Sequence, residues 1–136
     1  MTTQQIQTGP GDAAQRTVLI ADDEDLVRHV LAQMLMKLGC RVLTAINGSE
    51  AMALFDKHSD EIDLVIFDLT MPQMDGTELF ANLKKQSPDT KTLLTSGQDD
   101  LDSITEMRDA GLSGFIRKPF TLSDIKSAVL SMFGTE

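Results

Sequence analysis

From Thr17 onward the sequence alternates, five times over, between a short apolar run and a stretch whose apolar residues recur three and four positions apart. The runs are TVLIA (17–21), VLTA (42–45), DLVIFD (63–68), TLLTS (92–96) and GFIRK (114–118). They are too short for helices, and the leading ones are too continuously apolar for a strand wetted on one face. Each is therefore predicted as a strand covered on both sides. After the first run, Leu26, Val27, Val30, Leu31, Met34, Leu35 and Leu38 share a helical face, and Gly39 can end that helix in a left-handed conformation. Asn47 and Glu50 have capping-box spacing and open a second helix with Ala51, Leu54 and Phe55 inward. Thr77 to Gln86 forms a third through Leu79, Phe80 and Leu83, stopped by Pro88. Leu101, Ile104 and Met107 mark a fourth, acidic helix. Thr121 and Asp124 cap a fifth, carrying Leu122, Ile125, Val129 and Met132.

Strands that strictly alternate with helices form a parallel sheet, because each helix returns the chain to the same edge. For about 120 residues the expected result is α/β: a doubly wound, flavodoxin-like sheet of five strands with five helices. The expected strand order is 2-1-3-4-5, which puts a topological switch point between strands 1 and 3.

The chain's 136 residues suit one domain, expected over 17–136. Residues 1–16, rich in Gln, Thr and Gly, read as a flexible N-terminal tail. The sequence has neither a long apolar stretch nor the basic and apolar regions of a signal peptide, so a cytoplasmic location is expected. A lone Cys40 has no internal disulfide partner and reads as a small buried apolar side chain. The formal charge of −9 disfavours nucleic acids and anionic membranes as direct partners.

In such a sheet, ligands bind beyond the carboxyl ends of the strands, beside the switch point. Strand 1 ends in Asp22, Asp23 and Glu24, strand 3 in Asp68, strand 4 in Ser96 and strand 5 in Lys118. Two carboxylates about 5 Å apart repel by roughly 3 kcal/mol at an effective dielectric near 20. A hard divalent cation resolves that conflict. Mg²⁺ (or Mn²⁺) suits a shallow site with few carboxylates, because it keeps waters and accepts phosphate oxygens. A cation flanked by a carboxylate nucleophile, a hydroxyl and a lysine is equipped for phosphoryl transfer. His29 and His58 stand at no partnered spacing and read as surface residues. Met71, Pro72 and Gly76 read as turn formers, and Glu24 as either a contact of the site or a first-turn acid favoured by the helix dipole.

The segments VLIADDE (18–24), LVIFDLTMPQMDG (64–76), LLTSG (93–97) and GFIRKPF (114–120) resemble the receiver domain of two-component response regulators. The resemblance runs from about Thr17 to Phe133, with each motif on its expected strand. It implies a phosphorylation-dependent signalling domain, not an enzyme acting on other substrates. Asp68 would be the phosphoacceptor. Asp23 would be a direct Mg²⁺ ligand, Asp22 would act through water, and the backbone carbonyl of Thr70 would be a further ligand. Ser96 matches the switch hydroxyl, Lys118 the lysine that pairs with the phosphoryl group, Phe115 the aromatic switch, and Pro119 the proline that follows a cis bond. Ser96 replaces a more usual Thr and Phe115 a frequent Tyr, which bears on the strength of switching. Thr70 and Gln98 occupy variable positions connected with phosphoryl lifetime.

The implied partners are a histidine kinase or phosphotransfer protein upstream, and a target protein reading the face of helix 4, strand 5 and helix 5. A homodimer through that face is the other implied outcome. After the last helix only Gly134, Thr135 and Glu136 remain, so the expectation is a stand-alone regulator or a relay acting by contact. The second half also resembles receivers attached to hybrid sensor kinases. A degenerate receiver that binds without phosphorylation is the main alternative, although every residue it would lose is present. A haloacid dehalogenase-type enzyme would carry D-x-D where this chain has Asp68-Leu69-Thr70. An FMN binder would carry a Gly- or Ser/Thr-rich loop where this chain has Asp22-Asp23-Glu24.

Overall fold

Alternate residues of a strand point to opposite faces, so a run buried along its whole length must meet helices on both sides. In a computed structural model that describes residues 16–97 and 101–133, this is the arrangement adopted. The expected tail therefore lies outside the described residues, save Arg16. The strands are β1 (Thr17–Ala21), β2 (Arg41–Ala45), β3 (Ile62–Asp68), β4 (Lys91–Ser96) and β5 (Gly114–Arg117). The helices are α1 (Asp25–Lys37), α2 (Gly48–His58), α3 (Gly76–Gln86), α4 (Leu101–Asp109) and α5 (Leu122–Phe133). All strand pairs are parallel, in the order β2-β1-β3-β4-β5.

Leu19, Ala21, Val65, Phe67 and Leu94 form one core with Phe55 of α2, Leu79 and Phe80 of α3 and Ile104 of α4. Val18, Ile20, Leu64, Ile66 and Leu93 form the other with Leu31 and Leu35 of α1 and Ile125 and Val129 of α5. Each fully buried Leu, Ile or Phe contributes about 1.5–3 kcal/mol of transfer free energy.

The predicted caps are in place. Asn47 accepts from the Glu50 N–H at 2.8 Å, while the Glu50 carboxylate accepts from the Ile46 N–H at 2.7 Å. Thr121 and Asp124 exchange reciprocal bonds of 2.9 and 3.1 Å. Gly39, at φ 93°, ends α1 as the Cys40 N–H reaches back to the Leu35 carbonyl. Gly111, at φ 109°, ends α4 the same way through Leu112 and Met107. Cys40 is buried, as expected.

β2, β3 and β4 each begin one residue before the apolar runs, at Arg41, Ile62 and Lys91, and three further details differ from the sequence reading. α3 starts one residue earlier than Thr77, because Asp75 caps it by accepting from the Glu78 N–H at 3.0 Å. Lys118 lies just past β5 instead of within it. Leu26 and Val30, assigned to the inward face of α1, are 74% and 37% exposed. Both lie on the first turns of α1, where with Val27, Pro119 and Phe120 they line an open apolar groove. Among the described residues no helix is long and apolar enough to cross a membrane.

Candidate functional site

The site is assembled where four adjacent strands, β1, β3, β4 and β5, stop. Asp22 is the first residue past β1, and its N–H continues the ladder by donating to the Ala45 carbonyl at 3.1 Å. Its Oδ1 accepts from the Glu24 N–H at 2.9 Å, tightening the turn into α1. Asp68 is the last residue of β3, and the Leu69 N–H extends the ladder by one bond, 3.2 Å, to the Thr95 carbonyl. The chain then folds back on itself: the Gly76 N–H donates to the Leu69 carbonyl at 2.8 Å. A side chain at Gly76 would collide with the Asp68 carbonyl, so only glycine lets α3 begin this close to the strand end. Gly48 makes the same close approach from α2 to the Met74 carbonyl, seating the far side of the loop.

Lys118 arrives from β5, its N–H donating to the Ser96 carbonyl at 2.9 Å, and the Lys118–Pro119 peptide is cis. Its ammonium sits among three carboxylates: Asp22 at 3.0 Å, Glu24 at 3.2 Å and Asp68 at 3.3 Å. Carboxylate oxygens of Asp22, Asp23 and Asp68 all lie within 4.8 Å of one another. Asp22 and Asp68 are buried, whereas Asp23 is exposed.

Burial pushes the Asp68 carboxyl up from 3.8 to about 6; the Asp22 charge adds to this and Lys118 opposes it. Burial also works against the Lys118 ammonium, but the hydrogen bond and charge of Asp22, with Asp68 and Glu24, outweigh it and raise its pKa above the usual value. One ammonium thus serves three carboxylates, and Asp68 remains incompletely compensated. The group that would complete the set is a small hard cation, and the three convergent carboxylates supply the oxygen donors it requires.

Of the residues singled out from sequence, Asp22, Asp23, Asp68 and Lys118 meet directly. Ser96 is buried at the end of β4, beside Arg117 in the β5 register. Phe115 pairs with Leu94 and is half-buried against the core that contains it. Thr70 is exposed, two residues past Asp68. Gln98 lies outside the described residues. Glu24 touches the site through Lys118 and makes no side-chain cap of α1. His58 is half-buried and has a neighbour, Glu61, at 3.7 Å.

Sequence reasoning missed Arg28. Its guanidinium donates to the Asp22 backbone carbonyl at 2.8 Å and pairs with Asp25. A basic residue in the second turn of an otherwise ordinary helix carries no motif that would reveal this.

The described geometry has many counterparts among known proteins. A family profile, "Response regulator receiver domain", matches residues 18–130. The transcriptional regulatory protein PdtaR of Mycobacterium tuberculosis is 39% identical over 128 residues, covering 90% of this chain and 60% of its own. The probable transcriptional regulator ycf27 of Cyanidium caldarium is 36% identical over 118 residues, covering 87% of this chain and 46% of its own. This chain thus spans about half the length of those curated relatives. A solved CheX-CheY-BeF₃-Mg²⁺ complex from Borrelia burgdorferi superimposes with a TM-score of 0.83 at 28% identity, covering 87% of this chain and 89% of the matched one.

Proposed function

The chain belongs to the response regulator receiver domain family, and on that premise we propose that it carries a signal as a phosphoryl group on Asp68. Its family works in two-component signalling with histidine kinases and downstream effectors, and the domain's role is in signalling. The observation that carries the reading is the convergence of Asp22, Asp23 and Asp68 within 4.8 Å, with the Lys118 ammonium 3.3 Å from Asp68.

Asp23, Asp68 and the Thr70 carbonyl would hold Mg²⁺ (or Mn²⁺), with Asp22 acting through water. When bound, the cation supplies charge neutralisation for the phosphoryl oxygens. The remaining work falls to the chain. An Asp68 carboxylate oxygen attacks phosphorus in line. The new O–P bond forms as the bond from phosphorus to the donor's imidazole nitrogen or acyl oxygen breaks, and the donor leaves with that electron pair. Lys118, already an ammonium at neutral pH, moves from its carboxylate partners to the phosphoryl oxygens, and Ser96 donates to one of them. The BeF₃ and Mg²⁺ held by the Borrelia complex support this assignment for a related fold.

Acetyl phosphate with Mg²⁺ should add one phosphoryl group to the wild type and none to Asp68→Asn, read by intact mass. Equal labelling of both proteins would remove Asp68 from the role. A degenerate, phosphorylation-independent receiver would show no labelling of either.

A further inference from the structure

The turn that presents Asp22 and Asp23 is held by two cations. Lys118 holds the Asp22 carboxylate at 3.0 Å. Arg28 reaches back from α1 and donates to the Asp22 main-chain carbonyl at 2.8 Å. The Arg28 side chain is only 17% exposed, and its second contact, with Asp25, fixes the fork against the start of the same helix. Asp22 also donates through its own N–H to Ala45 and accepts at Oδ1 from Glu24, so its backbone and side chain are both held.

A peptide unit is planar, so fixing the direction of the Asp22 carbonyl also fixes the N–H of Asp23 and the direction in which its Cα leaves. Asp23 is exposed. Its convergence on Asp22 and Asp68 therefore depends on the orientation of the backbone that precedes it. We infer that Arg28 is a positioning residue for the cation site, acting through the Asp22–Asp23 peptide. This rests on the Mg²⁺ reading given above.

The sign of the effect separates positioning from charge. Arg28 is a cation beside a cation site, so if it acted only through its charge, removing it would tighten Mg²⁺ binding. If it orients the donor turn, removing it weakens binding; losing the partner that orients a ligand typically costs about 10–100-fold in metal affinity.

The experiment is a Mg²⁺ titration of the metal-free protein, followed by calorimetry or NMR, on wild type, Arg28→Gln and Arg28→Lys. Amide spectra report whether the fold is intact. Expected is a loss of about tenfold or more in Arg28→Gln, with Arg28→Lys, which keeps the charge and N–H donors but not the planar fork that reaches both Asp22 and Asp25, between it and wild type. Mg²⁺ binding in Arg28→Gln that equals or exceeds wild type overturns the proposal. Should Arg28→Gln not fold, Arg28→Met, which keeps an apolar stem and removes every donor, takes its place with the same expected loss, and Mg²⁺ binding in it that equals or exceeds wild type overturns the proposal as well. If the wild type itself binds no Mg²⁺, the functional reading fails first, and the two failures are distinguishable.

Discussion

Asp68 is a buried acid whose single nearby ammonium is shared with two other carboxylates, and this has a measurable consequence for stability. Its pKa in the folded, metal-free protein is about 6, against an ordinary 3.8. A raised folded-state value means that protonation favours the fold. The stabilisation is full below the ordinary value and is lost as pH rises through about 6. Near neutral pH the ionised Asp68 therefore costs the metal-free fold about 1–3 kcal/mol. Asp68→Asn should raise metal-free stability by that amount near pH 7 and change it little near pH 4. Thermal unfolding in EDTA at both pH values measures it, and an Asn variant less stable than wild type at neutral pH would contradict the account. Thr92 offers a second test at this scale. Its hydroxyl is fully buried in β4 and finds no hydrogen-bond partner among the described residues. An unmet hydroxyl costs about 1–3 kcal/mol, and valine keeps the shape without the oxygen. Thr92→Val should be more stable by about 1 kcal/mol in denaturant unfolding.

Among the elements, what was legible in the sequence was local, and what was hidden was not. The boxes at Asn47/Glu50 and Thr121/Asp124, and the stop at Gly39, need only residues a few positions apart, so spacing reveals them. The four strand ends could be read because a parallel sheet delivers them to one edge. The contact of Gly48 with Met74 and the grip of Arg28 on Asp22 arise only when separate elements meet, and no local pattern encodes them. Periodicity also overreached on α1. It marks which residues share a face, not whether a sheet lies beneath that face. Leu26 and Val30 are exposed and, with Val27, Pro119 and Phe120, line an apolar groove of about 440 Å³ that Lys118 and Glu24 border. Under the proposed function, a protein phosphodonor seated beside Lys118 would cover this groove, whereas acetyl phosphate would not need it. Leu26→Glu should slow transfer from a phosphorylated donor protein by about tenfold or more, the scale of one central apolar anchor. Its acetyl phosphate rate should stay near wild type. A matched loss for both donors would instead indicate damage to the site.

At the scale of the whole molecule, the proposed phosphoryl group on Asp68, near β1, β3 and β5, would have to change a surface. The proposed path runs along β4 and β5, whose register sets Ser96 beside Arg117 and Leu94 beside Phe115. Ser96 is buried at the site end of that pair, while Phe115 is half-buried and packs on the core shared by α2, α3 and α4. If Ser96 moves to donate to the phosphoryl group, the space it vacates is one that the Phe115 ring can enter, and the exposed edges of α4, β5 and α5 must readjust. One charge-assisted hydrogen bond supplies about 1.5–3 kcal/mol. That is close to what a hundredfold shift between two states requires, about 2.8 kcal/mol. The missing hydroxyl of a tyrosine matters little to this argument, because the ring's burial supplies its own part of the driving force. Adding beryllofluoride with Mg²⁺ should therefore shift amide resonances from the β4–α4 junction through β5 into α5, well beyond contact range of the site. Phe115→Ala should confine those shifts to the turns holding Asp23, Asp68 and Lys118 while leaving phosphorylation of Asp68 intact. Shifts that reach α5 equally in Phe115→Ala would show that the signal leaves by another route.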